Sequence, residues 1–431
     1  MKYHRLNKQI FIDNRKRFKS LMEPNSLAIF HSNDIYPTSA DGTMPFKQAT
    51  DILWLSGVDQ EDSVLVIFPD AKRDEDKELL FLTETNDLIA VWEGEKLTKK
   101  EAFEVSGIQT VYWLSEFDTI MKSLMSQTEN VYLFTQEHLR RNTPVETREM
   151  RLNAELKTIY PNHNYKRSAP FLNKLRAVKT ALEIEVMKIA AEITAAGFNR
   201  VLKFLKPNCW EHEIEAEFIH EFVKRRSRGF AYSPIIGSGS NACVLHYLEN
   251  NKQCISGDLV LIDVGAEYAN YACDVTRCFP VNGKFTDRQR EVYESVLRVE
   301  KASIELLKPG AVLSDYHKRV GDIMTKELIN LNLLSQEEVD NQNPSWPAYK
   351  KYFMHGTSHY LGLDVHDYGL WDGSPMEAGM VFTCEPGIYI PEEGIGIRIE
   401  DDILITSNGY INLTKEIPKE VSEIEAAMKT G

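Results

Sequence analysis

The chain has 431 residues, a formal net charge of −14, 43% hydrophobic residues and 26% charged residues. This composition is typical of a globular protein large enough for two domains, and the acidic charge disfavours binding to nucleic acid or to an anionic membrane. The first twenty residues lack the apolar core of a secretory signal, no stretch is apolar enough to span a membrane, and the six cysteines form no CxxC pair. We therefore expect a cytoplasmic protein with reduced thiols.

The first third of the chain alternates short apolar runs with polar stretches of helical character. The runs of strand length are SLAIF (26–30), SVLVIF (63–68), ELLFL (78–82), IQTVYWL (108–114) and VYLF (131–134). Nearly continuous apolar character is typical of strands covered on both faces of a sheet. The pattern predicts an N-terminal α/β domain over residues 1–171, because prolines and asparagines break the periodicity near residues 160–172.

The second predicted domain, residues 172–431, mixes helical and extended segments. Capping patterns predict helix starts at Thr180–Glu183, Asn208–Glu211 and Thr286–Gln289. Segments of extended character, bounded by turns, lie between and after these helices. Helices combined with mostly antiparallel strands predict an α+β domain.

Two aspartates lie within the apolar stretch LVLIDVGAEYANYACDVTRCF, which has the pattern of a hairpin. A turn centred between Tyr268 and Ala269 would place Asp263 directly opposite Asp274, with Cβ atoms about 4.5–5.5 Å apart. The two carboxylates would then repel each other unless a cation lies between them, one of them is protonated, or both face solvent. The hairpin alone leaves these alternatives open. Thr276 lies on the same face as Asp274 and is a neighbour that could hydrogen-bond a ligand.

Three histidines are concentrated in the segment HGTSHYLGLDVHD, namely His355, His359 and His366. The first two are spaced as zinc ligands on a helix would be, but the glycines disfavour a helix and no HExxH motif is present. A lone histidine is usually structural, whereas three in one glycine-containing segment favour a functional site.

Two glutamates, like the two aspartates, lie in apolar segments of strand character. Glu385 ends an apolar strand before a Pro-Gly turn, and Glu400 lies within the strand-like GIGIRIEDDILIT. Each feature alone is compatible with an ion pair to an arginine. Together, two aspartates, one histidine and two glutamates favour two divalent ions, for which manganese fits best and cobalt, iron or zinc could substitute. Two metals about 3.5–4 Å apart can hold a bridging hydroxide and polarise a carbonyl, which predicts a hydrolase.

The motifs IDVG…CDVTR, HGTSHYLGLDVHD, EPGIY and GIRIEDD, in this order, resemble those of the metallopeptidases with the pita-bread (creatinase/aminopeptidase) fold. The stretches YPTSADGTMPFKQATDILWLSG and EIPKEVSEIEAAM, and the short spacing between EPG and RIE, are similar to the aminopeptidase P branch. The resemblance implies an α/β N-terminal domain followed by an α+β pita-bread catalytic domain. The implied metal ligands are Asp263, Asp274, His359, Glu385 and Glu400.

The resemblance also implies an activity, the release of the N-terminal residue from peptides with proline in second position. A metal-bridged hydroxide would attack the Xaa-Pro bond, with Glu385 as the general base. His246 and His366 would hydrogen-bond the scissile carbonyl and its developing oxyanion, and His355 would line the proline subsite. Arg398 would orient the carboxylate of Glu400.

The N-terminal domain is implied to contribute Asp41 and Trp92 to substrate binding, at its own active site or at that of a neighbouring subunit. The expected partners are peptides with penultimate proline and further copies of the chain, in a homodimer or homotetramer, and neither nucleic acid nor membrane. The alternatives are an Xaa-Pro dipeptidase (prolidase) and a non-catalytic, peptide-binding relative. Non-catalytic relatives have typically lost ligands, and all five are present here.

Overall fold

The computed structural model describes residues 2–429, which form two compact units. The N-terminal unit comprises residues 5–175, and the C-terminal unit comprises residues 2–4 and 176–429. The division falls inside the helix Ala169–Ala177, slightly beyond the boundary that we predict from the sequence. The polar stretch at residues 160–172, which the sequence predicts to be the domain boundary, contains regular structure. Asn164–Arg167 within it forms a strand.

The N-terminal unit is built on a mixed sheet. Its strands are β1 (Ser26–His31), β2 (Val64–Ile67), β3 (Glu78–Leu82), β4 (Thr110–Trp113), β5 (Asn130–Leu133) and β6 (Asn164–Arg167). Their order in the sheet is β4-β3-β2-β1-β5-β6. β2 runs antiparallel to both of its neighbours, whereas the other neighbouring pairs are parallel. The first five strands confirm the prediction, and β6 is missed because its sequence NYKR is polar, as suits an edge strand.

Helices of this unit connect the strands and cover the sheet. They are α1 (Gln9–Lys19), α2 (Thr50–Ser56), α3 (Asp87–Trp92), α4 (Lys99–Ser106), α5 (Phe117–Met125), α6 (Arg148–Ile159) and α7 (Ala169–Ala177). Leu27 and Ile29 of β1 are buried in one cluster with Met121 and Leu124 of α5. Each such aliphatic side chain contributes about 1.5–3 kcal/mol through its removal from water.

His31, at the end of β1, makes the N-terminal unit sensitive to acid. Burial lowers the pKa of His31 to about 4. The folded chain therefore keeps this ring neutral where the unfolded chain protonates it at its ordinary pKa of about 6.5. Above about pH 6.5, His31 does not reduce the free energy of unfolding. As the pH is lowered toward 4, the free energy of unfolding falls, by about 2 kcal/mol between pH 7.5 and pH 5.

Replacing His31 with glutamine should remove this pH-dependent loss. Urea unfolding of the full chain at pH 7.5 and pH 5, in the presence of a chelator, measures the difference. His212→Gln is the matched control, because this histidine is exposed and should leave the acid sensitivity of the wild type unchanged. An equal loss of stability in His31→Gln and wild type would contradict the account.

The C-terminal unit contains the three helices that the capping patterns predict and further helices that they do not. They are α8 (Ala181–Phe204), α9 (Glu211–Lys224), α10 (Asp287–Ile304), α11 (Leu313–Asn330), α12 (Gln336–Asp340) and α13 (Val421–Met428). The capping boxes at Thr180 and Thr286 are present. The predicted start of α9 at Asn208 is wrong, because Asn208 has a φ of 73° and its N–H donates to the Cys254 carbonyl. The N-cap of α9 is instead Trp210, whose backbone N–H donates to the Glu213 carboxylate at 2.7 Å.

Short strands of the C-terminal unit pair antiparallel, as predicted. They are β7 (Gly229–Phe230), β8 (Ile235–Ser238), β9 (Leu259–Asp263), β10 (Ala266–Tyr268), β11 (Tyr271–Ala272), β12 (Thr276–Pro280), β13 (Val381–Cys384), β14 (Gly387–Ile390), β15 (Ile395–Arg398), β16 (Asp401–Thr406) and β17 (Gly409–Asn412). β9 lies between β8 and β12, and β16 lies between β13 and β17. These sheets bring the acidic residues of the site together.

Within residues 2–429, no helix is both long and apolar enough to cross a membrane. Each of the six cysteines is a free thiol, and five of them are buried. The segment 353–371, which carries the three clustered histidines, contains neither helix nor named strand, in agreement with its glycines.

Candidate active site

The hairpin that carries the two aspartates has a different register from the predicted one. Its turn residues are Ala269 and Asn270, with φ angles of 52° and 69°. Positive φ at both central residues defines a type I′ turn, and asparagine tolerates this conformation. Asp263 therefore pairs with Thr276, not with Asp274. The two aspartates are diagonal neighbours on one face, which leaves more room between their carboxylates than direct pairing would.

Glu400 lies in a break between β15 and β16, which corrects the prediction of one continuous strand. β15 pairs with β14, whereas β16 pairs with β13. At the break, the Glu400 N–H donates to the Thr276 carbonyl at 3.1 Å. The Thr276 hydroxyl donates to Glu400 Oε2 at 2.6 Å. The change of partner strand therefore brings the Glu400 carboxylate to the aspartate hairpin.

Four of the predicted ligands lie close together. Asp274, His359 and Glu400 are buried, and each offers one ligand atom within 4.8 Å of the others. His359 Nε2 lies 3.5 Å from Asp274 Oδ2 and 3.6 Å from Glu385 Oε1. Asp263 is buried at the end of β9, beside Thr276. The structure thus brings these side chains together from the end of β9, from the segment that carries the histidines, and from the links β11–β12, β13–β14 and β15–β16.

The backbone sets the orientation of the His359 ring. His359 Nδ1 lies 3.0 Å from the Tyr360 carbonyl oxygen, so Nδ1 carries the proton that is donated to it. Nε2 then faces the carboxylates of Asp274 and Glu385. A histidine that ligates a metal characteristically donates its other ring N–H in this way.

The electrostatics of the cluster fit a divalent cation. Burial raises the pKa of Glu400 well above its usual range, and the charges of Asp274, Glu385 and Asp263 raise it further. Burial likewise raises the pKa of Glu385 to about 7. Buried carboxylates at this density are unfavourable without compensating positive charge. Carboxylate oxygens with a single imidazole are ligands that suit manganese, cobalt, iron or zinc.

Arg398 contacts Asp263 rather than Glu400. Its guanidinium donates to Asp263 Oδ2 at 2.6 Å, to the Tyr389 hydroxyl at 2.7 Å and to the Thr276 hydroxyl at 3.0 Å. Arg398 reaches Glu400 only through Thr276, which corrects the predicted arrangement in which it orients that carboxylate itself. The physical reason is the break after β15, where the chain changes its partner strand before Glu400.

His355 is held between two protein groups. Its Nδ1 lies 2.7 Å from the Gly356 carbonyl oxygen and its Nε2 lies 2.8 Å from the Tyr389 hydroxyl. Burial and then the Arg398 charge lower the pKa of His355 to about 3. The ring is therefore neutral at pH 7, donating through Nδ1 and accepting the Tyr389 proton at Nε2.

The other two predicted histidines are exposed. The His366 ring stands edge-on to the His359 ring, with 4.5 Å between the ring centroids. His246 lies in the exposed segment between β8 and β9, and its charge contributes to the lowered pKa of His355. Both side chains therefore belong to the surroundings of the cluster and are open to solvent.

Asp41 and Trp92 belong to the N-terminal unit. Asp41 is exposed within the turn closed by the Pro37–Thr43 bridge. Trp92 ends α3, and 79% of its surface is exposed. The cluster in the C-terminal unit forms without either residue, so their predicted role in substrate binding stays a prediction.

Comparison with known proteins assigns the chain to a family. Residues 185–407 match Metallopeptidase family M24, and residues 11–132 match the N-terminal domain of aminopeptidase P. The chain belongs to metallopeptidase family M24. Both the family and the two-part fold predicted from the sequence are confirmed.

Relatives match this M24 metallopeptidase over nearly its full length. The Xaa-Pro aminopeptidase of Haemophilus influenzae is 36% identical and is aligned over 98% of both chains. The structure of Pseudomonas aeruginosa aminopeptidase PepP has a TM-score of 0.90 at 33% identity. Zinc-substituted Escherichia coli aminopeptidase P in complex with product has a TM-score of 0.89 at 34% identity, and both structures cover 99% of each chain. The M24 family and the buried donor cluster together imply divalent metal ions.

Two tyrosines at this M24 site are missed by the sequence reasoning. The Tyr232 hydroxyl donates to Asp263 Oδ1 at 2.6 Å, and Tyr389 connects Arg398 to His355. Tyr389 lies within the motif EPGIYI. If a strand begins at Gly387, alternation predicts the face of the sheet toward which the Tyr389 side chain points. The segment FAYSP around Tyr232 carries no comparable periodicity.

Proposed function

We propose that this M24 metallopeptidase is an Xaa-Pro aminopeptidase, which releases the N-terminal residue from peptides with proline in second position. The observation that carries the proposal is the buried cluster of Asp274, His359 and Glu400 beside Glu385 and Asp263. It is supported by the full-length relationship to a protein named Xaa-Pro aminopeptidase.

Asp263, Asp274, His359, Glu385 and Glu400 would hold two divalent ions, with manganese as the preferred metal. Ions held there supply an acidified water molecule and polarise the peptide carbonyl. Asp263 is held on both carboxylate oxygens by Tyr232 and Arg398, which fixes its direction. Such support of ligands by their neighbours is needed for a defined site.

Glu385 is the carboxylate best placed to handle a proton. Its side chain is 19% exposed, against 7% for Asp274 and 6% for His359, so substrate and water reach it most readily. Its Oε1 faces His359 and its Oε2 lies 3.6 Å from His355 Nδ1. Glu385 would take a proton from the attacking water and deliver it to the leaving proline nitrogen.

The histidines divide into two roles. His246 and His366 are exposed and would donate hydrogen bonds to the scissile carbonyl as negative charge develops on its oxygen. His355 has both ring nitrogens occupied by Gly356 and Tyr389, so it would line the proline subsite with its ring. Proline suits such a pocket because its amide lacks an N–H and its φ is fixed.

Loss of metal should abolish activity. A chelated and desalted sample of the full chain is expected to cleave an Xaa-Pro-Yaa peptide at least about 10³-fold more slowly, because the acidified water is lost. Added Mn²⁺ should restore the rate. Equal turnover by the chelated and untreated samples would refute the metal requirement.

The same assay separates the aminopeptidase from a dipeptidase. The intact enzyme should cleave Xaa-Pro-Yaa peptides faster than the dipeptide Gly-Pro, whereas an Xaa-Pro dipeptidase has the opposite preference. Binding of the tripeptide without cleavage, at full metal content, would favour a non-catalytic peptide-binding protein.

The proposal extends to location and assembly. Free thiols at all six cysteines support a reducing compartment, the cytoplasm. Asp41 and Trp92 would contact substrate from the N-terminal unit of the same or a neighbouring subunit in a homodimer or homotetramer. Light scattering of the purified chain gives the mass of the assembly, and a monomer would remove the role of a neighbouring subunit.

A further inference from the structure

The segment that carries His246 is an exposed excursion between β8 and β9. We call residues 239–251 the His246 loop; it begins directly after Ser238, and Lys252 follows it. A 3-10 turn over Gly239–Cys243 forms its first part. The second part, residues 244–251, has no regular structure and contains His246. A loop of this kind needs specific contacts to hold one side chain in a fixed direction.

Glu211, the first residue of α9, supplies such contacts and is fully buried. Its Oε1 accepts the Ser238 N–H at 2.7 Å and the Asn241 side-chain amide at 3.3 Å. Its Oε2 accepts the Tyr247 hydroxyl at 2.9 Å and the Lys252 N–H at 2.8 Å. One oxygen thus binds the beginning of the His246 loop, and the other oxygen binds its end.

The two parts of the loop differ in what else holds them. The first part packs tightly, because a Cβ at Gly396 of β15 would lie 2.1 Å from the Ala242 carbonyl oxygen. In the second part, Glu211 binds the hydroxyl of Tyr247, the residue after His246. Asn250 adds an anchor farther along, through hydrogen bonds with Ile236 and Pro234. Glu211 therefore holds the side chain of the residue that directly follows His246 in the chain.

We propose that Glu211 is a positioning residue, which fixes the His246 loop so that His246 points at the substrate carbonyl. The inference rests on the proposed function, because it assigns Glu211 to the reaction through His246. A carboxylate is suited to this position because it only accepts hydrogen bonds, and all four neighbours are donors. In glutamine, an NH2 group replaces one of the two carboxylate oxygens. This donor would face the donor groups that the carboxylate oxygen accepts from.

Glu211→Gln should therefore lower kcat for an Xaa-Pro-Yaa peptide by about 10- to 100-fold with little change in KM, since the contact from His246 strengthens in the transition state. The matched control is Glu213→Gln, on the same helix. The Glu213 carboxylate accepts the Trp210 N–H at 2.7 Å, and the residue is exposed. This control should stay within about twofold of wild type in kcat and KM.

Dependence on His246 separates positioning from a merely structural role. In a His246→Ala background, Glu211→Gln should lower kcat by less than about a further threefold, because Glu211 acts through His246 and that side chain is absent. Equal fold losses with and without His246 would overturn the proposal. If Glu211→Gln does not fold, Tyr247→Phe removes the hydroxyl that Glu211 binds, and its smaller loss of kcat should likewise vanish in the His246→Ala background.

Hydrogen exchange tests the inference without turnover. In the metal-loaded full chain, Glu211→Gln should accelerate amide exchange in residues 239–251, and Glu213→Gln should not. Unchanged exchange in Glu211→Gln would overturn the proposal. If the wild type cleaves no Xaa-Pro peptide, the proposed function fails, whereas the exchange measurement still decides whether Glu211 fixes the loop.

Discussion

Glu400→Gln is expected to lower kcat/KM for an Xaa-Pro-Yaa peptide by at least about 10³-fold, several kcal/mol of transition-state stabilisation, and to remove at least one bound metal ion per chain. Thr276 holds Glu400 Oε2 at 2.6 Å, and one carboxylate oxygen of Glu400 lies within 4.8 Å of the ligand atoms of Asp274 and His359. A neutral amide removes the negative charge that would hold a cation at this position. Steady-state kinetics and elemental analysis of the purified variant measure the two effects.

The stability of the metal-free protein gives this prediction a second test. Burial raises the pKa of Glu400 well above its usual range, so its charge is unfavourable in the absence of a cation. Metal-free Glu400→Gln should therefore melt no lower than metal-free wild type. Glu393→Gln, at the exposed ion pair with Arg288, is the matched control and should keep metal and activity. Full metal occupancy in Glu400→Gln would contradict its assignment as a ligand.

Arg277→Met is expected to reduce the free energy of unfolding by about 3–5 kcal/mol, because it leaves a buried charge without its main partner. Arg277 is fully buried in β12 and donates to Asp401 Oδ1 and to the Glu400 carbonyl, both at 2.6 Å. It also donates to the Thr276 carbonyl at 3.0 Å. Urea unfolding in the presence of a chelator measures the loss without a contribution from bound metal.

An exposed ion pair provides the comparison. Arg288→Met breaks the ion pair with Glu393, in which both side chains are one-third exposed. This variant should reduce the free energy of unfolding by less than about 1 kcal/mol. Adding Asp401→Asn to Arg277→Met should recover part of the loss, because the unpaired carboxylate is then removed. A loss below 1 kcal/mol in Arg277→Met would show that Lys419, which also contacts Asp401, suffices to compensate that charge.

The parts of the fold that the sequence predicts well are those with a local physical signal. Buried strands such as β1 and β3 are continuous apolar runs, and the capping boxes at Thr180 and Thr286 fix the starts of α8 and α10. β6 has no such signal, because an edge strand tolerates polar residues. The start of α9 is misplaced because Asn208 serves a backbone turn instead of a helix cap.

The site is predictable in composition but not in geometry. The apolar surroundings of Asp263 and Asp274 suggest a site, yet a turn displaced by one residue changes which residue faces Asp263. The break before Glu400 depends on pairing with strands far away in the sequence, which alternation within one strand does not reveal. The contact of Arg398 with Asp263 follows from both differences, because each changes which side chains meet.

The proposed peptide hydrolysis requires the buried carboxylates and His359 to hold divalent metal. Anomalous scattering at the manganese edge, from crystals of the full chain loaded with Mn²⁺, locates such ions. Two peaks are expected within the cluster of Asp263, Asp274, His359, Glu385 and Glu400. Crystals of protein that cleaves an Xaa-Pro-Yaa peptide but shows no anomalous peak at this cluster would contradict this requirement.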